Sequence, residues 1–476
     1  MNRIDVGSGR VGRRGLIAGS LALGAGTAAA IGGLVNSPPE NDEVVLAAVA
    51  DASLPLNWVN VKAAPYNAGG AGSTNDTAAI AAAYASARDN KRPLYFPPGT
   101  YKVTSLPAFA NNTNVIGAGA DLVTILYEGT GTLLKLNAQR VSIKNLGFWV
   151  TGASGTIVDL SGCFRCSFDS VVFRGQHTAG SGATFRNQKG IVLRDNTGGT
   201  SFVNCDINNL GTGLVTSCIQ NYISNSKFAT NYIGVRGTGN NFNAGLSLSN
   251  TEFVSTKAAT DRHIFIDGQA NDWWLTNVWF EGATAGIVAG VAGVGGPSQF
   301  GLVNCKIAAS STVVDIQHCR QPYLANVIFD VDPGSSPTML RINGTYAPEG
   351  TAINLIHGTA SDFPTSVFPA GWTFLGRGKM LAAGGPVVKS PDGRGWQIAV
   401  ARSAQGNPNI EQVIDGLTRS ADKCVYAAKD SGRDRVMSCE VPQIAWVPGV
   451  PGELEHDITD ERSTSILDLV RRASPR

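Results

Sequence analysis

The sequence predicts an all-β chain wound into a parallel β-helix, a solenoid of short strands stacked coil upon coil. Three observations carry that prediction. Between residues 140 and 330 one short motif returns as SIKNLGF, SFDSVVF, SFVNCDI, YISNSKF, LSLSNTEF, WLTNVWF, GLVNCKI and YLANVIF. Each copy turns on one polar residue, in order Asn145, Ser170, Asn204, Asn225, Asn250, Asn277, Asn304 and Asn326, at spacings of 25, 34, 21, 25, 27, 27 and 22 residues. Large apolar side chains stand at fixed offsets on either side of that residue. Variable spacing around a constant rung marks a solenoid whose loops accept insertions.

The offsets have a physical reading. Two residues before the anchor stand Ile143, Phe168, Phe202, Ile223, Leu248, Leu275, Leu302 and Leu324. Three residues after it stand Phe148, Phe173, Ile207, Phe228, Phe253, Phe280, Ile307 and Phe329. The residue directly after the anchor is apolar or small. Side chains alternate along a strand, so a parity that switches at the anchor means a bend between two strands. Asparagine tolerates the left-handed backbone of a tight corner, and stacked amides can hydrogen-bond along the axis. A leucine-rich repeat would need a leucine-dense consensus and a helix in each unit, and neither is present.

Taken from the N-terminus, the first 35 residues read as a targeting segment. A basic stretch with adjacent Arg13 and Arg14 precedes a Gly/Ala/Leu run, the form of a twin-arginine export signal. The mature protein is therefore expected outside the cytoplasm, periplasmic or extracellular, touching a membrane only if the segment stays uncleaved. Residues 36–57 read as a linker. In STNDTAAIAAAYASARDNKRPLYFPPGTYKV, Asn75 or Asp76 can accept hydrogen bonds from the first backbone N–H groups of a helix. Ile80, Ala83, Tyr84 and Ala87 then share one face, and Pro93 closes the helix. A short buried strand, a Pro-Pro-Gly turn and a second strand follow.

That stretch, with NVKAAPYNAGGAG before it and NVIGAGADLVTIL after it, resembles the N-terminal signature of pectate-lyase-superfamily β-helix proteins. The resemblance spans roughly residues 58 to 345. It implies a right-handed coil, placed here at residues 58–390, and a helix that caps the open end. The superfamily includes polysaccharide lyases, glycoside hydrolases, phage tailspikes and proteins without known activity, so fold does not settle function. The chain lacks the NTD, DD, GHG and RIK set of polygalacturonase-type hydrolases. It also lacks the calcium-binding aspartates with a nearby arginine found in pectate lyases proper.

Farther on, QIAVA and ADKCVYAAKDSGRDRV, within residues 395–439, are similar to the closing strand, helix and strand of diguanylate cyclase (GGDEF-family) domains. Lys429 and Arg433 match positions that lie near nucleotide phosphates in that family. The GG(D/E)EF loop is missing, so the segment is expected to be a truncated α/β fragment without cyclase activity. Residues 440–476 form a charged tail.

Bulk properties narrow the partners. Net charge is +2 with 16% charged residues, which leaves no electrostatic footprint for nucleic acid. Eight cysteines over 476 residues are too sparse for a disulfide framework, and Cys163-x-x-Cys166 has no partner pair at zinc spacing. It reads as buried thiols or one bridge, and no metal site is expected from it.

Candidate site residues follow from the stack. Two residues after the anchor the side chain faces outward, and adjacent coils lie about 4.8 Å apart. Asp206, Lys227, Glu252, Trp279 and Lys306 should therefore form one strip. Four residues after the anchor the outward set includes Trp149, Arg174, Glu281 and Asp330. Three residues before it stand Tyr222, Trp274 and Tyr323. Aromatic faces offer sugar rings an apolar platform, which makes Trp279 and Trp274 candidate substrate contacts, with Lys306 and Arg262 as candidate cations. Asp206, Glu252 and Glu281 are candidate acids and bases for glycoside hydrolysis, which in its inverting form uses carboxylates about 6.5–9.5 Å apart. Elimination would instead use Lys227, Lys306 or Arg262 as the base, and a lyase could use calcium to stabilise the charge that forms. His263, beside Arg262 in DRHIFIDG, reads as part of a surface loop. The expected function is a polysaccharide-acting enzyme, hydrolase or lyase. The alternatives are a non-catalytic glycan-binding or scaffold β-helix and, through the C-terminal fragment, a signalling protein. A monomer and a trimer fit the repeat equally.

Overall fold

A computed structural model describes residues 57–240, 244–358 and 363–376, with the backbone of short strands at 379–381, 387–389 and 395–397. The chain divides at Asn57 and Trp58, and the second unit is the one described. The expected export signal, most of the linker, the body of the cyclase-like segment and the charged tail lie outside the described residues.

The fold is a right-handed parallel β-helix. One wall is a nine-stranded parallel sheet running from Thr132–Leu136 at one end to Thr338–Ile342 at the other. The opposite wall is folded along the anchor residues, so most coils contribute two short strands to it, such as Asn221–Ser224 and Lys227–Ala229. Every anchor from Asn145 to Asn326, the single serine included, has a positive φ between 48° and 55°. The left-handed backbone turns the strand by a corner within one residue, which is why asparagine serves there. Side-chain amides bridge successive corners: Asn277 Nδ2 donates to Asn250 Oδ1 at 3.2 Å, and Asn326 Nδ2 to Asn304 Oδ1 at 3.1 Å.

The repeat runs one coil beyond Asn326, the last anchor read from the sequence. Asn354 has φ 49° and donates to Asn326 Oδ1 at 2.9 Å. The sequence pattern hides this coil because Ala352 and His357 replace the bulky inward residues. Phe363, Phe368 and Trp372 fill the core instead. Gly371–Gly376 then pairs in parallel with Glu349–Ile353 and antiparallel with Lys379–Leu381, ending the parallel run.

Both apolar columns are fully inside. Phe228, Phe253 and Phe280 stack at centroid separations of 4.6 and 4.7 Å, with the planes of the first pair nearly parallel. One coil buries little on its own. A column of like side chains at the rung spacing packs without gaps, and burial of each ring contributes roughly 1.5–3 kcal/mol.

At the N-terminal end, helix α1 (Thr77–Asp89) buries Ile80, Ala83, Tyr84 and Ala87 against the first strands, Val59–Asn60 and Leu94–Phe96. Tyr84 packs edge-on against Phe109, and its hydroxyl accepts the Ala110 N–H at 2.6 Å. Of the two proposed caps, Asn75 Oδ1 accepts the Thr77 N–H at 3.0 Å. Asp76 instead clamps the preceding loop by accepting from Gly69 and Gly70. Among the described residues no helix is long and apolar enough to cross a membrane. The six described cysteines are buried thiols, and the Cys166 thiol donates to the Ala138 carbonyl at 3.4 Å.

Candidate functional site

The strip exists in strict register. Asp206 lies beside Lys227, Lys227 beside Glu252, Glu252 beside Trp279, Trp279 beside Lys306 and Lys306 beside Ile328. These outward positions sit on short strands directly after the asparagine corner. Their neighbours on either side point into the core, so backbone pairing holds the spacing without help from the strip's own side chains.

Most charges along the strip are matched. Lys227 Nζ lies 3.1 Å from Glu252 Oε2, and Lys306 Nζ lies 2.9 Å from Asp330 Oδ2. The Lys306 ammonium also stands 4.4 Å from the centroid of the Trp279 ring, an attraction worth about 0.5–1 kcal/mol at an exposed site. Lys306 draws the Asp330 carboxyl below its usual range through their hydrogen bond. Trp279 is 45% exposed, and its indole N–H donates to Glu281 Oε2 at 3.4 Å. Trp279, Lys306 and Ile328, with the corner asparagines Asn277, Asn304 and Asn326, line a shallow open groove.

Asp206 differs from the other acids. No described cation lies within ion-pair distance of it. Partial desolvation raises its carboxyl, as do Asp121 and Glu252, while Lys227 and Arg174 pull it back. A raised carboxyl is the property that lets a side chain hold a proton for delivery to a leaving group. Two rungs separate Asp206 from Glu252, about 9.6 Å along the axis. Glu281 lies on the coil after Glu252, offset by two residues, because Val254 is its register partner.

Trp274 lies on the other side of the corner, across Gly301 from Tyr323, with their ring centroids 6.4 Å apart. Gly301 leaves room for the ring, since a Cβ would fall 2.1 Å from Trp274 Cε3. Trp274 and Trp279 therefore flank the corner rather than sharing one column.

One candidate stands apart from the strip, and one expectation needs correction. Arg262 is on the nine-stranded wall, away from the strip, where it pairs with Asp261 at 3.1 Å and lies over Phe265. Counting on from Asn250 carries it past the outward strand into the next wall. His263 is buried in the strand Arg262–Ile266 rather than on a surface loop, packed near Phe253 and Phe280, and its Nε2–H donates to the Glu281 carbonyl at 3.0 Å. Burial pushes the His263 imidazole down to about 4. Asp121 and Asp332, which modulate Asp206 and neighbour Glu281 respectively, lie in loops without periodicity and carry no sequence signal. Among the described residues no group of three or more His, Cys, Asp or Glu is placed to share a metal ion.

Residues 58–236 match the family described as rhamnogalacturonase A/epimerase, pectate lyase-like. No curated protein matches the sequence. Among solved structures the chain is similar to the Dettilon tailspike protein, with 13% identity, a TM-score of 0.53, and coverage of 73% of this chain and 70% of that one. The A-module of the mannuronan C-5 epimerase AlgE4 of Azotobacter vinelandii aligns with a TM-score of 0.43 and 12% identity, covering 63% of this chain and 96% of that one. An alginate lyase from a Paenibacillus species aligns with a TM-score of 0.37 and 15% identity, covering 55% and 96%. By its coil geometry and by the match over residues 58–236, the chain carries a parallel β-helix similar to the pectate-lyase-like proteins.

Proposed function

We propose that this protein is an exported enzyme that hydrolyses a polysaccharide laid along the strip, across the coils. The register-true row Asp206, Lys227, Glu252, Trp279 carries the reading. Asp206, with its raised carboxyl, would protonate the leaving oxygen, and Glu252 would activate water from two rungs away. Lys227 fixes Glu252 in place at 3.1 Å. Trp279, with Lys306 at its ring, would stack a sugar downstream, and Trp274 would add a second platform across the corner. The rhamnogalacturonase description of the family matched over residues 58–236 supports a polysaccharide as substrate. Hydrolysis is preferred over calcium-assisted elimination because both strip lysines are already engaged by carboxylates. Export rests on the twin-arginine pattern at Arg13 and Arg14.

A second reading is a non-catalytic glycan-binding surface. The closed pairs Lys227–Glu252 and Lys306–Asp330 favour it, since exposed ion-pair ladders also arise without chemistry. One assay separates the readings. Reducing ends without ultraviolet absorbance from unsaturated sugars mark hydrolysis, absorbance marks elimination, and neither leaves binding. Asp206→Asn and Glu252→Gln should each lower turnover at least a hundredfold if they carry the acid and base roles. Unchanged turnover in both would remove them from the mechanism.

A further inference from the structure

We propose that Ser181 and His177 form a nucleophile–base pair that hydrolyses small acyl esters carried on sugar hydroxyls. The inference rests on the polysaccharide reading for the alcohol half of the ester, and not for the pair itself. Both residues lie in the segment between Arg174 and Lys189, which makes the 34-residue spacing from Ser170 to Asn204 the longest in the repeat. Its sequence, GQHTAGSGATFRNQ, has no counterpart in the other coils.

The base is held from several sides. His177 is 2% exposed, and Asn209 grips its main chain twice. The Asn209 carbonyl accepts the His177 N–H at 2.7 Å, and Asn209 Nδ2 donates to the His177 carbonyl at 2.9 Å. The ring packs edge-to-face with Tyr232, which Arg186 covers at 4.1 Å. His177 Nε2 stands 2.8 Å from the Ala259 carbonyl. A carbonyl only accepts, so Nε2 carries the proton of the neutral ring and Nδ1 keeps its lone pair. Among the described residues the side chain at Nδ1 is Ser181, whose Oγ lies 3.2 Å away. A base takes the proton of a nucleophilic hydroxyl through a contact of this kind.

The serine is presented to solvent by a folded loop. The Ser181 N–H donates to the Thr178 carbonyl and the Thr184 N–H to the Ser181 carbonyl, each at 3.2 Å. At the base of the loop Gln188 Nε2 donates to the Gly152 carbonyl at 2.8 Å, and its Oε1 accepts the Gln176 N–H at 2.9 Å. Ser181 Oγ accepts the Thr178 N–H at 3.1 Å and lies 2.9 Å from the Thr178 carbonyl. Its proton thus has that carbonyl and Nδ1 as alternative acceptors, and rotation of the hydroxyl toward Nδ1 arms the oxygen. Gly180 and Gly182 flank the serine, and a Cβ on either would meet nothing within 4 Å, so an ester on a polymer can reach Oγ from outside. Gly182, with φ 57°, follows the nucleophile directly, and a backbone N–H at that position can donate to the oxyanion.

In the reaction Oγ bonds to the acyl carbon as its proton passes to Nδ1. The protonated ring then gives that proton to the departing sugar oxygen as the C–O bond breaks, leaving an acyl-serine. Water, deprotonated by Nδ1, releases the carboxylic acid and restores the serine. The Ala259 carbonyl orients the ring in place of a carboxylate and stabilises the imidazolium less, so turnover is expected to be slow.

The test treats the full chain with p-nitrophenyl acetate, a fluorophosphonate probe and an acetylated xylan. Wild type should release p-nitrophenol above background, carry the phosphonate on Ser181 by peptide mass spectrometry, and free acetate from the polymer. Ser181→Ala should lower ester hydrolysis about a hundredfold or more and carry no adduct, with unchanged circular dichroism. His177→Gln should lower hydrolysis to the same degree. Ester hydrolysis that Ser181→Ala leaves intact, or an adduct on another residue, overturns the pair. If the chain shortens glycans while Ser181 stays unlabelled, the pair is wrong and the polysaccharide reading survives. If Ser181 is labelled and cleaves p-nitrophenyl acetate while no glycan is bound or deacetylated, the pair stands as an esterase and the sugar half falls with the polysaccharide reading.

Discussion

Acidification should destabilise this β-helix through one buried ring. His263 sits in the core beside Phe253 and Phe280, and burial lowers its imidazole from 6.5 to about 4, partly opposed by the bond to the Glu281 carbonyl. The unfolded chain therefore takes up the proton first. The His263 contribution is complete above the unfolded value, falls as pH drops through it, and levels off below the folded one. The whole gap corresponds to about 3 kcal/mol, of which roughly 2 should be lost between about pH 7 and about pH 4.5. His263→Gln keeps an N–H for the Glu281 carbonyl and removes the titration. Urea unfolding followed by tryptophan fluorescence at the two pH values gives the difference directly. Carboxylates such as Asp330, lowered by Lys306, lose stability in the same direction at lower pH but do so equally in both proteins. The reasoning is refuted if His263→Gln loses as much stability on acidification as wild type. Because His263 bonds to the Glu281 carbonyl, the same protonation would loosen the coil that carries Trp279 and Glu281.

Three further perturbations probe the coil itself. Asn277→Ala places a β-carbon in a backbone with φ 55° and removes an amide from the corner ladder, for an expected loss of about 1–2 kcal/mol in urea unfolding. Asn277→Gly should recover most of the backbone share. Phe253→Ala, in the middle of the ring stack, should cost about 3–5 kcal/mol, and a loss below that of a surface substitution would contradict the stacked core. Gly301→Ala should push the Trp274 ring off its seat with a stability change within about 1 kcal/mol. Its signature would be altered tryptophan emission and, if Trp274 contacts substrate, weaker glycan binding.

The features that could be read from the chain alone are those set by local geometry and repeated along it. A corner that needs a left-handed residue selects asparagine wherever it recurs, and the pleat on either side dictates which offsets face inward. Both columns and all eight anchors were therefore visible in one dimension, as was the order of residues along the strip. The buried face of α1 followed from helical spacing in the same way. Where Ala352 and His357 stand in place of the periodic residues, the coil at Asn354 leaves no pattern in the sequence although its backbone is the same.

Only the tertiary structure decided what each exposed group meets. Arg262 lies on the nine-stranded wall, a placement that depends on the variable turn before it. His263 became a buried neutral ring because the Phe253 and Phe280 coils close over it. Asp206 gained its raised carboxyl from partial desolvation and, to a lesser extent, from Asp121, and the segment that follows Arg174 reaches Ala259, 82 residues from His177. Hydrogen bonds, ion pairs and desolvation depend on distances of a few ångströms between residues from different coils. No periodicity in the sequence encodes the variable loops that set those distances.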